Sequence, residues 1–269
     1  MKNMDRVILG SALLIGLGFG LNAQACTTDG WQGGFVDGGG NAVAGSPPTI
    51  SRLSEFCALK VTGQSHVQSN FASDTRYIGR FYIFDGLGGD GDVEIFSAFS
   101  ADDATGDLFT ISFDGSQFTF DASAATGGTS APVASINSKW NLVEFDWDSV
   151  GGTMKYWVNA DASVDPETGS IDSGTGTVEA VRMGAPNGFG AQTGMMIFDT
   201  FESHRTTPVG AVLVGDANND GNVNSGDIIG VINEFFSAEN LAVGAPDCNG
   251  DGNVNSGDII CVINVFFGG

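Results

Sequence analysis

The sequence predicts a mainly β protein, a two-sheet sandwich followed by a small module of two short helices. Alternating or aromatic-rich runs, separated by Gly- and Asp-rich turns, fill the chain between residues 57 and 202, and this is the pattern of short strands. Gly supplies 41 positions and Phe 20, while only 16% of residues are charged, which favours strands and turns around an aromatic core. The C-terminal part instead carries an internal repeat with helical apolar spacing.

Nine strands are predicted from these runs. Their inward side chains should lie at every second position, so two sheets can pack face to face. The predicted strands are 57–61, 77–85, 93–99, 108–113, 117–121, 140–148, 154–159, 178–184 and 196–202.

The charge balance excludes some classes of partner. The chain has 32 Asp and Glu against 10 Lys and Arg, a net charge of −22. Such a field repels nucleic acid and anionic membranes. No nucleic-acid partner is therefore expected.

The first 25 residues resemble an export signal. Lys2 and Arg6 precede an apolar run at 7–21, and Ala23 and Ala25 supply the small residues of a cleavage site. We expect a signal peptide at 1–25, a secreted or cell-surface location, and no membrane span in the mature chain. A retained anchor is the competing interpretation.

Export makes the four cysteines candidates for disulfide bonds. Sequence distance pairs Cys26 with Cys57 and Cys248 with Cys261. Lipidation of Cys26 is an alternative fate for that residue.

The C-terminal repeat carries the strongest motif. The ten residues from Asp220 to Ile229 recur unchanged from Asp251 to Ile260. Each copy forms a twelve-residue loop with oxygen side chains at positions 1, 3, 5, 9 and 12 and glycine at position 6, the pattern of a calcium loop. The predicted ligands of site 1 are Asp216, Asn218, Asp220, the carbonyl of Asn222, Asn224 directly or through water, and Asp227. Those of site 2 are Asp247, Asn249, Asp251, the carbonyl of Asn253, Asn255 and Asp258.

Two Ca²⁺ ions are therefore expected. From residue 209 onward the chain has eight carboxylates and no Lys or Arg, so bound cations are the expected counter-charge. The competing interpretation is an acidic turn pair without ions.

A helix should follow each loop, with its apolar face packed on the other. These faces comprise Ile228, Ile229, Val231, Ile232, Phe235 and Phe236 in copy one, and Ile259, Ile260, Val262, Ile263, Phe266 and Phe267 in copy two. Cys248 and Cys261 occupy the repeat positions of Ala217 and Gly230. The same two positions are both small in one copy and both cysteine in the other, which supports a staple from loop to helix.

Residues 215–267 resemble a type I dockerin module, two EF-hand-like loop-helix repeats without the entering helix. The resemblance implies docking onto a cohesin domain of an extracellular scaffold. The family selects partners at loop positions 10 and 11, here Ser225 with Gly226 and Ser256 with Gly257. Serine fits the family pattern and glycine departs from it. A calcium-stabilised knob without a partner is the alternative.

The remaining domain has a second resemblance. The tryptophan-led strand at 140–148, the hairpin to 154–159, and the runs at 181–184 and 197–202 resemble a concanavalin A-like, laminin-G-type sandwich. We expect the domains to be 1–25, 26–208 and 209–269. Such sandwiches bind glycans, proteins or calcium, and some are glycoside hydrolases.

One strand raises the possibility of an enzyme. Glu144, Asp146 and Asp148 share one strand face and resemble the catalytic E-x-D strand of laminarinase-type glucanases. An ordinary solvated strand face is the competing interpretation. The nearby aromatic residues would either stack sugars or fill the core, and they are Tyr82, Trp140, Trp147, Tyr156 and Trp157.

Taken together, these features predict a secreted calcium-binding dockerin protein. Its sandwich would be a noncatalytic binding module for a glycan or protein, within polysaccharide-processing or cell-surface assemblies. The alternative is a secreted laminarinase-like glycoside hydrolase acting in polysaccharide catabolism, and a purely structural surface protein is the third reading.

Overall fold

The computed structural model describes residues 33–35, 42–44, 57–88, 91–137, 139–236, 242 and 244–268. The predicted signal peptide at 1–25 lies outside these residues. So does Cys26, and with it the expected Cys26–Cys57 bond.

The predicted fold class is confirmed. Within the described residues, fourteen strands form two antiparallel seven-stranded sheets, and two helices follow them. In chain order the strands are β1 (Gly33–Phe35), β2 (Ala42–Ala44), β3 (Cys57–Val61), β4 (Ser65–Asp74), β5 (Arg76–Gly88), β6 (Val93–Phe99), β7 (Asp107–Phe113), β8 (Gln117–Asp121), β9 (Val133–Ala134), β10 (Trp140–Asp148), β11 (Thr153–Val158), β12 (Gly169–Ile171), β13 (Val178–Ala185) and β14 (Thr193–His204).

The first sheet has the order β1-β4-β13-β6-β7-β8-β9, and the second has the order β12-β11-β10-β5-β14-β3-β2. Strand β10 shows how the sequence positions their faces. Val143, Phe145 and Trp147 point into the core between the sheets, whereas Leu142 and Glu144 point to the outer face of the second sheet. The period-two pattern thus separates an aromatic core from an outer face with its own chemistry.

Aromatic rings dominate this core. Phe145 lies with its ring centroid 4.9 Å from that of Phe96 and 5.3 Å from that of Phe109. Phe120 stacks on Tyr156 at 4.2 Å. Aromatic side chains bury large apolar areas, so this chain can build a stable sandwich from short strands.

Several strands were not predicted from the sequence pattern. Strand β4 has the polar sequence SHVQSNFASD, and it pairs with β13 in the first sheet. Only one of its faces meets the core, and polar residues such as Gln68 line the other. Strands β1, β2, β9 and β12 have three residues or fewer, too short for a period to show.

The two C-terminal helices are α1 (Ser225–Phe235) and α2 (Ser256–Phe266). Asn224 and Asn255 cap their first turns, which satisfies backbone N–H groups that a helix end leaves free. In the described part of the chain, no helix has the length and apolar character needed to cross a membrane.

The expected packing of two complete apolar helix faces is wrong in part. Val231 and Val262 are fully buried between the repeats, but Phe236 is 71% exposed and Phe267 is 77% exposed. Glu234, which is not among the predicted apolar residues of the first helix, is buried. Two eleven-residue helices are too short to bury all six apolar side chains of each face.

Gly79 of β5 offers a test of the packing of the core. A Cβ at this position would lie 2.6 Å from Cζ of Phe145, whose ring is held between Phe96 and Phe109. We expect Gly79→Ala to lower the free energy of unfolding by about 1–3 kcal/mol, since close-packed cores resist added volume. Urea unfolding of the full chain measures this. Gly63→Ala is the matched control, because a Cβ at Gly63 meets nothing within 4 Å. Equal midpoints for the two variants would contradict this packing.

Candidate calcium loops and the faces of the sandwich

The first repeat folds as a closed loop around its acidic side chains. Asp216 accepts hydrogen bonds from the backbone N–H groups of Asp220 (3.0 Å) and Gly221 (2.8 Å). Asp227, at position 12, accepts from the N–H groups of Asn218 (3.0 Å) and Asn224 (2.7 Å). Positions 1 and 12 therefore both reach across the loop and draw its backbone around one centre.

The second repeat reproduces this geometry. Asp247 accepts from the N–H groups of Asp251 (3.1 Å) and Gly252 (2.8 Å). Asp258 accepts from those of Asn249 (3.1 Å) and Asn255 (2.8 Å). In both loops, the carboxylates at positions 1 and 12 thus accept hydrogen bonds from backbone N–H groups of the same loop.

Position 9 has a second task. The side-chain oxygen of Asn224 accepts from the N–H of Gly226 at 2.7 Å, and Asn255 does the same with Gly257. Each asparagine therefore caps the helix that follows its loop. That oxygen has a second lone pair, so position 9 can still contact an ion directly or through water.

The donor set fits calcium. Asp216, Asp227, Asp247 and Asp258 are all buried, and the chain has no Lys or Arg after residue 205 to neutralise them. Burial, and then the neighbouring carboxylates of Asp258 and Asp251, raise the pKa of Asp247 to about 7. A buried carboxylate beside like charges requires a cation or a proton.

Carboxylates alone do not complete either site. Among the described residues, no group of three or more His, Cys, Asp and Glu side chains is arranged to hold a metal ion. Amide and backbone carbonyl oxygens supply much of the coordination in a calcium loop, and ion binding would require the carboxylates of positions 1, 5 and 12 to turn toward these oxygens. Those oxygens are present at positions 3 and 7 of both loops.

The staple between loop and helix is present. Cys248 and Cys261 form a disulfide with their Cα atoms 5.8 Å apart. In the first repeat, a Cβ on Gly230 would lie 3.1 Å from Cβ of Ala217. The same close approach of loop and helix is thus filled by two small residues in one copy and by a covalent bond in the other.

Glycine at position 11 has a local structural reason. A Cβ on Gly226 would lie 3.1 Å from both Asn218 Nδ2 and Asn224 Oδ1, and Gly257 is equally confined. Ser225 at position 10 is exposed, as is Ser256. Of the four predicted partner-docking residues, the two serines are therefore accessible, and the two glycines lie close against asparagine side chains of their own loops.

The surroundings of Glu144 differ from those that the sequence indicated. It is fully buried, and its two carboxylate oxygens accept from the N–H groups of Val209 (2.7 Å) and Gly210 (2.9 Å). Burial raises the pKa of Glu144, and the two N–H donors act against that shift. The group therefore anchors the chain that leaves the sandwich.

The other two acidic residues of β10 are also engaged in the structure. Asp146 pairs with Arg76 through two hydrogen bonds of 2.9 and 2.6 Å. Asp148 accepts from the N–H groups of Val150 and Gly151 in the following turn. The three share one face, as period two predicts, but each has its own structural partner.

Residues 209–212, which we call the strap, cover the part of this face around Glu144 and Tyr82. Ala211 N–H donates to Asp161 (3.1 Å), and Val212 N–H donates to the hydroxyl of Tyr82 (2.9 Å). The guanidinium of Arg80 donates to the carbonyl of Gly210 at 3.2 Å. Ala211 and Val212 also pack on an apolar cluster of Ala58, Tyr82, Phe84, Trp140, Leu142 and Ile197.

No open aromatic groove results from the residues considered for sugar stacking. All five are buried, some in the core and the others under or beside the strap: Tyr82, Trp140, Trp147, Tyr156 and Trp157.

The outer face of the first sheet, which we call the polar face, has a different character. Arg182 lies at its centre, with Gln68 and Ser97 as its cross-strand neighbours. The guanidinium donates from Nε to Gln68 Oε1 at 2.9 Å and lies over the ring of Phe99 at 5.1 Å. Sequence reasoning missed this face because most of its residues belong to the unpredicted strand β4 or lie at single polar positions.

Two further groups flank Arg182. Burial and then Arg182 lower the pKa of His66 to about 4, so its imidazole is uncharged at neutral pH. Glu94 accepts from the side-chain amide of Asn187 at 2.9 Å. The polar face thus offers hydrogen-bond donors and acceptors side by side.

Comparison with known families confirms the dockerin resemblance. Residues 214–266 match the family of the "Dockerin type I domain". This C-terminal domain is of a class that binds calcium. A search of curated proteins found no match to the chain.

Solved structures give weaker similarities. The "Cellulose induced protein, Cip1" matches with a TM-score of 0.45 and 14% identity, over 67% of this chain and 89% of its own. A "botulinum neurotoxin serotype D binding domain" matches with 0.43 and 10%, over 64% of this chain and 45% of its own. A "Sialidase" matches with 0.40 and 12%, over 60% and 16%. The chain thus spans less than half of the toxin-domain and sialidase chains. At TM-scores below 0.5 these similarities carry no argument about ligand or activity.

The anchoring role of Glu144 gives a prediction. Glutamine keeps the shape of the side chain but offers one acceptor where two N–H groups need one each, so Glu144→Gln should lower the free energy of unfolding by about 1–3 kcal/mol. Thermal and urea unfolding of the full chain would measure it. Glu167→Gln, at an exposed position, removes the same charge without a buried partner and should change little. A Glu144→Gln chain as stable as the control would contradict the anchoring role.

Proposed function

We propose that the chain is a secreted calcium-binding dockerin protein whose β-sandwich is a noncatalytic binding module. The observation that carries the proposal is the commitment of Glu144, Asp146 and Asp148 to structural partners, together with the dockerin domain at 214–266. A glycosidase of the retaining class needs two carboxyl groups facing a substrate. Both oxygens of Glu144 face the strap instead.

Two calcium ions would be held by the two loops. Asp216, Asp220 and Asp227 would supply the carboxylates of site 1, and Asp247, Asp251 and Asp258 those of site 2. The ions would neutralise buried charge that the protein itself does not compensate, and their binding free energy would contribute to folding of the module.

The dockerin domain would attach the chain to a cohesin-type domain of an extracellular scaffold. The exposed hydroxyls of Ser225 and Ser256 would form part of the contact. The basic and apolar residues at the N-terminus support export of the chain, and assembly on a scaffold would place the sandwich outside the cell or on its surface.

We assign the ligand of the sandwich to the polar face and propose that it is a glycan. The strap covers the outer face of the second sheet around Glu144 and Tyr82, whereas Gln68, Asn70 and Arg182 on the first sheet remain partly exposed. Amide, guanidinium and carboxylate groups on one sheet face match the donors and acceptors of sugar hydroxyls. The net charge of −22 favours a neutral polymer over an acidic one.

Affinity electrophoresis of the full chain in gels that contain β-glucans or xylan tests this function. We expect retardation by at least one polymer, no release of reducing sugar, and roughly tenfold weaker binding in Arg182→Met, because hydrogen bonds from a charged donor are lost. Lys155→Met is the control, because it removes the same charge from an exposed site on the other sheet. Release of reducing sugar, or the absence of retardation in every polymer, would contradict the proposal.

A further inference from the structure

The two calcium loops have the same sequence over ten residues but different surroundings. In the first loop Asp220 and Gly221 are exposed, whereas in the second loop the equivalent Asp251 is half-buried and Gly252 is buried. Because the residues are identical, the difference must come from what lies against the second loop.

The second loop lies against the beginning of strand β10. The N–H of Trp140 donates to the carbonyl of Gly250 at 2.9 Å, and Nζ of Lys139 donates to the carbonyl of Asn249 at 2.7 Å. These carbonyls belong to positions 3 and 4 of the loop. Position 4 of the first loop, Asn219, is exposed.

The strap fixes the same module from its other end. The backbone N–H groups of residues 209–212 donate to Glu144 and Tyr82 on the second sheet and to Asp161 in the loop after β11. A linker with free backbone groups would let the two domains move independently. Here every one of these four N–H groups is held by the sandwich.

We propose that the second calcium loop is a calcium-dependent joint that fixes the dockerin module on the sandwich, and that the first loop stands outside this joint. The inference rests on the proposed calcium sites. Asp247, Asp251 and Asp258 must be neutralised for the second loop to keep its closed form, and only the closed form presents the carbonyls of Asn249 and Gly250 to Lys139 and Trp140.

Amide hydrogen exchange of the full chain in calcium tests the joint, with the repeat as its own control. Asp251→Ala removes a ligand of the second loop, and Asp220→Ala removes the identical ligand of the first. We expect the Trp140 N–H to exchange at least about tenfold faster in Asp251→Ala, because its acceptor is lost, and to stay protected in Asp220→Ala. Equal protection of Trp140 in both variants, with both modules folded, would overturn the proposal.

Calorimetric calcium counts separate this inference from the function on which it rests. Each variant should bind one ion where the unchanged chain binds two. If neither variant loses an ion, the calcium sites are wrong. If each loses one ion but Trp140 exchanges alike in both, the sites are right and the joint is wrong.

If circular dichroism shows that both loop variants lose their helices, a substitution in the sandwich tests the joint instead. Lys139→Met removes one contact of the joint without touching a calcium ligand, and Lys155→Met is its exposed control. We expect the N–H groups of Asp251 and Gly252 to exchange at least about fivefold faster in Lys139→Met, and those of Asp220 and Gly221 to be unchanged. Unchanged exchange in the second loop, or an equal increase in both loops, would overturn the proposal.

Discussion

Buried negative charge is the constraint on which much of this structure depends. Among the described residues, eight carboxylates are buried, Glu144, Asp146, Asp199, Asp216, Asp227, Glu234, Asp247 and Asp258, whereas Arg80 is the single buried cation. Removing a carboxylate from water costs several kcal/mol unless hydrogen bonds or a counter-ion replace the lost hydration. The fold must therefore bring donors or cations to each of these groups.

Two solutions divide the molecule. On the sandwich, backbone N–H groups and arginine satisfy the carboxylates, and in doing so Glu144 fixes the strap and Asp146 holds Arg76. The C-terminal module contains no arginine or lysine. Its loop aspartates accept hydrogen bonds from backbone N–H groups, and calcium is the counter-charge that we propose for them. The strap thus covers part of the outer face of one sheet, and the small helical module has buried carboxylates without a basic residue of its own. The polar face of the first sheet remains the proposed ligand site.

The sequence predicts best those features that neighbouring residues determine. The loops, their helices and the Cys248–Cys261 bond follow from a repeat within about fifty residues. Strands β3, β6, β8 and β10 have the predicted bounds because their apolar and aromatic runs end at polar or turn residues. Contacts between segments that are far apart in the sequence leave no such local pattern. Nothing near Glu144 indicates that its partners are Val209 and Gly210, so it resembled a catalytic residue. Strand β4 was missed because its outward residues, Gln68 and Asn70, make it read as a loop. The exposure of Phe236 and Phe267 depends on how far the two short helices overlap. The apolar spacing within one helix does not determine that overlap.

Anomalous diffraction from crystals of the full chain grown in calcium tests the central claim, that calcium neutralises the buried carboxylates of the module. The account predicts two peaks, one between Asp216 and Asp227 and one between Asp247 and Asp258, each surrounded by oxygen atoms at about 2.3–2.6 Å. A loop that keeps its closed form without an anomalous peak, in crystals saturated with calcium, would contradict it.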